Sequence, residues 1–139
     1  VLDTNVIVSG LLWLGPPHQI FALIESGQLT LCLTQEILTD LRDVLSRPKF
    51  RPFINRRQTS VDELMASVTA SASLFEPAYL VLPSALRDRD DLAILSCAIA
   101  AQAIYIVTGD KDLLTLQNVE GIRVVMASEF LAEWKSRDR

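Results

Sequence analysis

The chain has 139 residues, half of them hydrophobic, and a formal net charge of -4, enough for one compact core and too little for two ordinary domains. That charge argues against nucleic-acid binding driven by the whole surface, but not against nucleic-acid chemistry, because clustered carboxylates lower the net charge and a bound cation inverts their local field. No apolar run reaches the roughly 18 residues of a membrane span and no leader pattern opens the chain, so the expectation is a single cytoplasmic domain over residues 1–139 with no membrane association.

Val1 already lies in an apolar run, so the opening strand is expected to start before it. Asp3-Thr4-Asn5 then interrupts that run before Val6 to Ser9 resumes it, which predicts strand, turn and helix. After Gly15-Pro16-Pro17, the residues Ile20, Phe21, Leu23 and Ile24 predict a helix from His18 to Glu25, capped by Gly27. Thr30 to Leu33 reads as a short buried strand. Thr34 is a good N-cap for a helix whose stripe is Ile37, Leu38, Leu41, Val44 and Leu45, ended by Pro48.

Arg47, Lys49, Arg51, Arg56 and Arg57 follow, interleaved with Phe50 and Phe53, in a loop or irregular helix. These cations are candidates for phosphate contact, with Phe50 or Phe53 to stack a base; the alternative is a solvated connector anchored by its aromatics. Trp13 and Trp134 read as packing residues. Ser60 to Glu63 forms a capping box for a third helix with the stripe Val61, Leu64, Met65, Val68 and Ala72.

Tyr79 to Leu82 is a possible strand, and a helix is expected from near Asp90 through Ala98 and Ala101. Ile104 to Val107 is the clearest strand; Gly109 to Leu114 makes a turn and short helix, Arg123 to Val125 a last strand, and Ser128 caps a terminal helix with Phe130, Leu131 and Trp134. Strands alternating with amphipathic helices predict an α/β fold with a parallel sheet covered on both faces.

Cys32 and Cys97 have no metal-ligand spacing and read as buried thiols. His18 is the single histidine, which leaves a histidine-based triad without support. The carboxylates are more informative. Asp3 and Asp110 each follow an apolar strand, at the edge where open parallel sheets place ligands; the alternative reading of either one is a cap on the helix that follows. On the Asp90 helix, Asp91 falls about 10° from the centre of the apolar arc. Burying it there as an ion is costly unless it is paired or binds metal, and neither Arg87 nor Arg89 lies inside that helix on that face.

On the earlier helix Asp40 lies about 100° from the arc centre and Glu36 about 140°; Asp40 is preferred, with Glu36 its substitute or simply a first-turn acid. Acids gathered at one sheet edge repel and raise one another's pKa values. A hard divalent cation relieves this, and oxygen-only ligands select magnesium or manganese over zinc, as in metal-assisted nucleases.

Leu2-Asp3-Thr4-Asn5, Thr34 with Asp40-Leu41, Asp91 with Ile94, and Val107 to Asp112 resemble, in order and spacing, the motifs of the PIN-domain family across nearly the whole chain. Val44 to Phe50 further resembles a branch regarded as toxins of toxin–antitoxin pairs. The resemblance implies an α/β/α sandwich, Mg2+ or Mn2+, and an endoribonuclease leaving a 5′-phosphate and a 3′-hydroxyl. It makes Asp3, Asp40, Asp91 and Asp110 the catalytic and metal-site acids, Asp112 an auxiliary acid, and Asn5 and Thr108 orienting residues. Asp40 stands where the family more often has Glu, and Leu92 where this branch often has a polar residue. The implied partners are an RNA substrate, a second copy in a homodimer and a small antitoxin protein. Two other readings remain: a phosphatase-like hydrolase with Asp3 as nucleophile, weakened by Asn5 where an acid is wanted, and a PIN-fold interaction module without catalysis.

Overall fold

A computed structural model describes residues 1–78 and 89–137. Helix α1 (Thr4–Leu12) begins directly after Asp3, with no intervening turn. The apolar run after Asn5 is the buried face of that helix, with Val6, Ile7, Val8 and Leu12 in the core. Val1-Leu2 is an extended segment, pairing in parallel through a bridge from Leu2 to Val107. Helix α2 (Pro16–Glu25) starts two residues before the expected His18 because both prolines fit its first turn. Gly27, at φ 83°, closes it: the Gln28 amide donates back to the Leu23 carbonyl, a geometry that wants the left-handed backbone glycine adopts freely.

Strand β1 (Leu31–Leu33) is fully buried and leads to α3 (Gln35–Leu45), where the Thr34 hydroxyl caps the Ile37 amide as expected. The basic segment is helical: a 3-10 turn at Pro48–Phe50 runs into α4 (Arg51–Arg56). Helix α5 (Val61–Ser71) is half of the expected capping box, since Ser60 accepts from the Glu63 amide while the Glu63 carboxylate turns to the Thr59 hydroxyl.

Ala72 leaves the helix and opens β2 (Ala72–Leu74), which pairs in parallel with β1. Small residues there carry little strand signal; pairing with β1 decides the conformation. The strand expected at Tyr79 to Leu82 lies outside the described residues, as does Arg87.

Helix α6 (Arg89–Ala100) includes Arg89 as its first residue. Strand β3 (Tyr105–Val107), α7 (Lys111–Leu116), β4 (Asn118–Val119), β5 (Ile122–Val125) and α8 (Ala127–Arg137) complete the chain. β3 pairs with β5 in parallel, and β5 carries β4 as an antiparallel partner. That small hairpin was not anticipated, because its two central residues are Glu120 and Gly121, both at positive φ, where Asn-Gly would be the usual signal. Ser128 lies inside the first turn of α8, one residue beyond its start, so the cap belongs upstream; the Phe130 amide donates to the Met126 carbonyl.

Among the described residues the buried apolar side chains form one cluster. Ile7, Leu31, Leu33, Leu41, Leu95, Ile106 and Leu113 are all fully covered, each from a different helix or strand except the two on β1. Helix α6 packs on both β1 and β3, and α1 packs on α2 and α3. The result is an α/β fold with parallel strands wrapped by helices. No single described helix is long and apolar enough to cross a membrane.

Candidate metal centre

Parallel register builds the site. Leu2 pairs with Val107, so the residues one step further, Asp3 and Thr108, arrive side by side past the strand ends. The Thr108 hydroxyl donates to Asp3 Oδ2 at 2.8 Å, and the Asp110 amide donates to the same hydroxyl oxygen at 3.0 Å. Thr108 is buried, with its own amide held by the Val125 carbonyl of β5. It is the rigid post between the two acids.

Asp3 and Asp110 divide on the question of helix capping. Asp3 occupies the N-cap position of α1 but its carboxylate makes no capping hydrogen bond. Asp110 does cap α7, its Oδ1 accepting from the Asp112 amide at 2.8 Å and the Leu113 amide at 3.3 Å. Only one oxygen is used. Oδ2 takes no hydrogen bond among the described residues, so capping leaves that oxygen open to a ligand.

Asp91 is 4% exposed, in the first turn of α6, where the helical arc placed it. Its carboxylate, that of Asp110 and that of Asp112 each offer an oxygen within 4.8 Å of the others. Asp112, read from sequence only as an auxiliary acid, is thus part of the tightest grouping. As an acid two residues after a capping Asp, in the first turn of a short helix, it projects back toward the same end.

Asp3 and Asp40 sit outside that trio. Asp3 borders it through Thr108; Asp40, half-buried on α3, accepts from the Thr4 hydroxyl at 2.9 Å, and Thr4 adjoins Asp3. Thr108 therefore ties Asp3 to the inner acids, and Thr4 ties Asp40 to the start of α1 beside Asp3. Glu36 is exposed in the first turn of α3, and Asn5 is exposed on α1.

Burial raises the Asp3 pKa above the ordinary carboxylate value. The Thr108 hydrogen bond and the nearby Thr4 and Asn5 amides oppose the shift, and the charge of Asp110 adds to it. Desolvation thus outweighs the acid–acid repulsion that the sequence suggested as the main cause.

A site made only of carboxylate and hydroxyl oxygens suits a hard cation. Ligands 2.0–2.6 Å from a shared Mg2+ or Ca2+ stand roughly 3–5 Å from one another, which the Asp91, Asp110 and Asp112 spacing satisfies.

The basic residues lie elsewhere. Arg47, Lys49, Arg51, Arg56 and Arg57 are all exposed. Phe50 and Phe53 are half-buried and pack against the core, and the Trp13 ring meets both edge-on, at 6.1 and 5.0 Å between centroids. The aromatics do anchor this connector. Cys32 and Cys97 are buried free thiols, as expected.

Comparison with known proteins agrees with this geometry. Over 97% of its length the chain is 28% identical to an uncharacterized protein of Methanocaldococcus jannaschii, 90% of which is covered. No solved structure matches it. The family model described as PIN domain matches residues 1–112, a span that contains Asp3, Asp40, Asp91, Asp110 and Asp112, and the chain belongs to the PIN-domain family, whose members are generally metal-dependent nucleases.

Proposed function

We propose that the chain is a magnesium-dependent endoribonuclease and the toxin of a toxin–antitoxin pair. The observation that carries the reading is the meeting of Asp91, Asp110 and Asp112 within 4.8 Å beside the Thr108–Asp3 pair. Those three acids would hold Mg2+ or Mn2+, with Asp3 next to them and Asp40 as the outermost acid. When bound, the cation supplies Lewis-acid stabilisation of charge on a phosphodiester.

The chain's own contribution is positioning. Thr108 fixes Asp3 against Asp110, Thr4 fixes Asp40, and the capping bonds to Oδ1 of Asp110 hold Oδ2 in a set direction. Preorganised acids need little rearrangement when substrate arrives. The toxin assignment is supported by Val44 to Phe50 and its resemblance to the toxin branch. The expected partners are an RNA substrate, a second copy of the chain, and a small antitoxin presenting a cation, such as an arginine, to these carboxylates.

The test is cleavage of single-stranded RNA by purified protein with Mg2+, with chelator, and with Asp91→Asn. The expected result is a cut leaving a 5′-phosphate that disappears in the last two. Undiminished cleavage by Asp91→Asn would overturn the assignment. For the toxin role, expression of the parent should arrest growth and Asp91→Asn should not.

A further inference from the structure

The segment 47–57 carries five of the chain's 13 cations and none of its 17 acids. None of those five, Arg47, Lys49, Arg51, Arg56 and Arg57, pairs with a carboxylate among the described residues, although the protein has acids in excess. Charge is therefore segregated on this surface, not balanced across it.

An aromatic ring packs against this segment. Trp13 is 38% exposed, held edge-on by Phe53 and Phe50. Lys49 lies 5.1 Å from the Phe50 ring centre and Arg56 5.9 Å from that of Phe53. The Arg57 Nε donates to the Leu12 carbonyl at 3.0 Å, fastening the basic segment to the end of α1 just before Trp13. Phe50 and Phe53, stackers or anchors by sequence, are thus the anchors, and Trp13, which packs on them as expected, still leaves part of its ring open to solvent.

We infer that Trp13, together with Lys49, Arg51 and Arg56 of the segment whose rings pack against it, is a docking platform for single-stranded RNA, separate from the acidic centre. A held aromatic ring among unpaired cations is the combination that stacks a base while neutralising its phosphates. Without its cation the acidic centre repels a polyanion, so a strand bound in chelator needs a positive foothold elsewhere on the molecule. Asp3 precedes α1 and Trp13 follows it, which puts about 15 Å of helix between centre and platform. A strand held at Trp13 would have to extend along α1 to reach the acids. This rests on the ribonuclease reading for its substrate, but not for its surface.

The experiment measures binding of fluorescent single-stranded RNA of about 16 nucleotides to the whole chain, in chelator so that nothing is cut, across a salt series. Trp13→Ala should weaken binding about 5- to 150-fold, the range for losing one stacked base. The triple variant Lys49→Gln, Arg51→Gln, Arg56→Gln leaves the core untouched and should lower the slope of log affinity against log salt by about 2, at roughly 0.7 per phosphate contact. Both should keep the parent's Mg2+-induced rise in Tm, which reports on the acidic centre and on folding.

Parent-like binding by the triple variant overturns the platform even if the protein cleaves RNA. Tighter binding to phosphatidylserine vesicles than to RNA, lost in the same variants, overturns it in favour of a membrane surface. Variant-sensitive RNA binding by a chain that cleaves no RNA upholds the platform and removes the ribonuclease reading.

Discussion

Thr108 shows how much one buried hydroxyl can organise. It donates to Asp3, accepts from the Asp110 amide and is itself set by β5. Thr108→Val keeps shape but leaves Asp3 and the Asp110 amide without that partner. Changes behind metal ligands commonly cost 10–100-fold in affinity, and the expected loss of Mn2+ affinity is about that size, read by titration calorimetry.

Cys97 offers an independent check at the same scale. Burial pushes its thiol from 9.0 up to about 11. The unfolded chain loses this proton first, so the contribution to stability is complete below pH 9 and is lost as pH rises through 11. Urea midpoints should fall between pH 8.5 and 10.5, and fall less in Cys97→Ala. Of the candidate site residues, Asp91 was legible from helical phase alone, because burying an acid among Ile94, Leu95 and Ala98 breaks the pattern visibly. Asp112 was legible only through the family motif and only as an auxiliary acid, because an exposed acid in a first turn looks like any dipole-complementing residue.

Elements were legible where period and punctuation agreed. Thr34, Pro48 and the apolar stripe between them define α3 almost to the residue. They were obscured where partners decide: β2 exists because β1 lies beside it, β4 because β5 does, and the Asp-Thr-Asn interruption conceals a helix that starts at once. The α1–α2 contact shows the same dependence. A Cβ at Gly10 would meet Phe21 Cδ2 at 2.4 Å and the Pro17 carbonyl at 3.0 Å, so this glycine is set by close helix approach, a property no local pattern reveals. Gly10→Ala should destabilise by about 1–3 kcal/mol, measured by denaturant unfolding.

The whole molecule places opposite charges at opposite ends of α1. Acids collect past the strand ends, where parallel register makes neighbours of residues 105 positions apart, such as Asp3 and Thr108. Cations collect on the 47–57 segment, which packs against Trp13 at the far end. Because the acids are held close in the folded chain and dispersed in the unfolded one, a divalent cation should bind the native state and raise its Tm.

A divalent cation held by Asp91, Asp110 and Asp112 would lose one ligand charge in Asp110→Asn. Titration calorimetry of Mn2+ into the parent and into Asp110→Asn tests this most directly, since Asn keeps the helix cap while removing the charge. Saturable binding in the parent, weakened at least tenfold in Asp110→Asn with its fold intact, is the predicted result; equal affinity in both, or no binding by the parent, would contradict it.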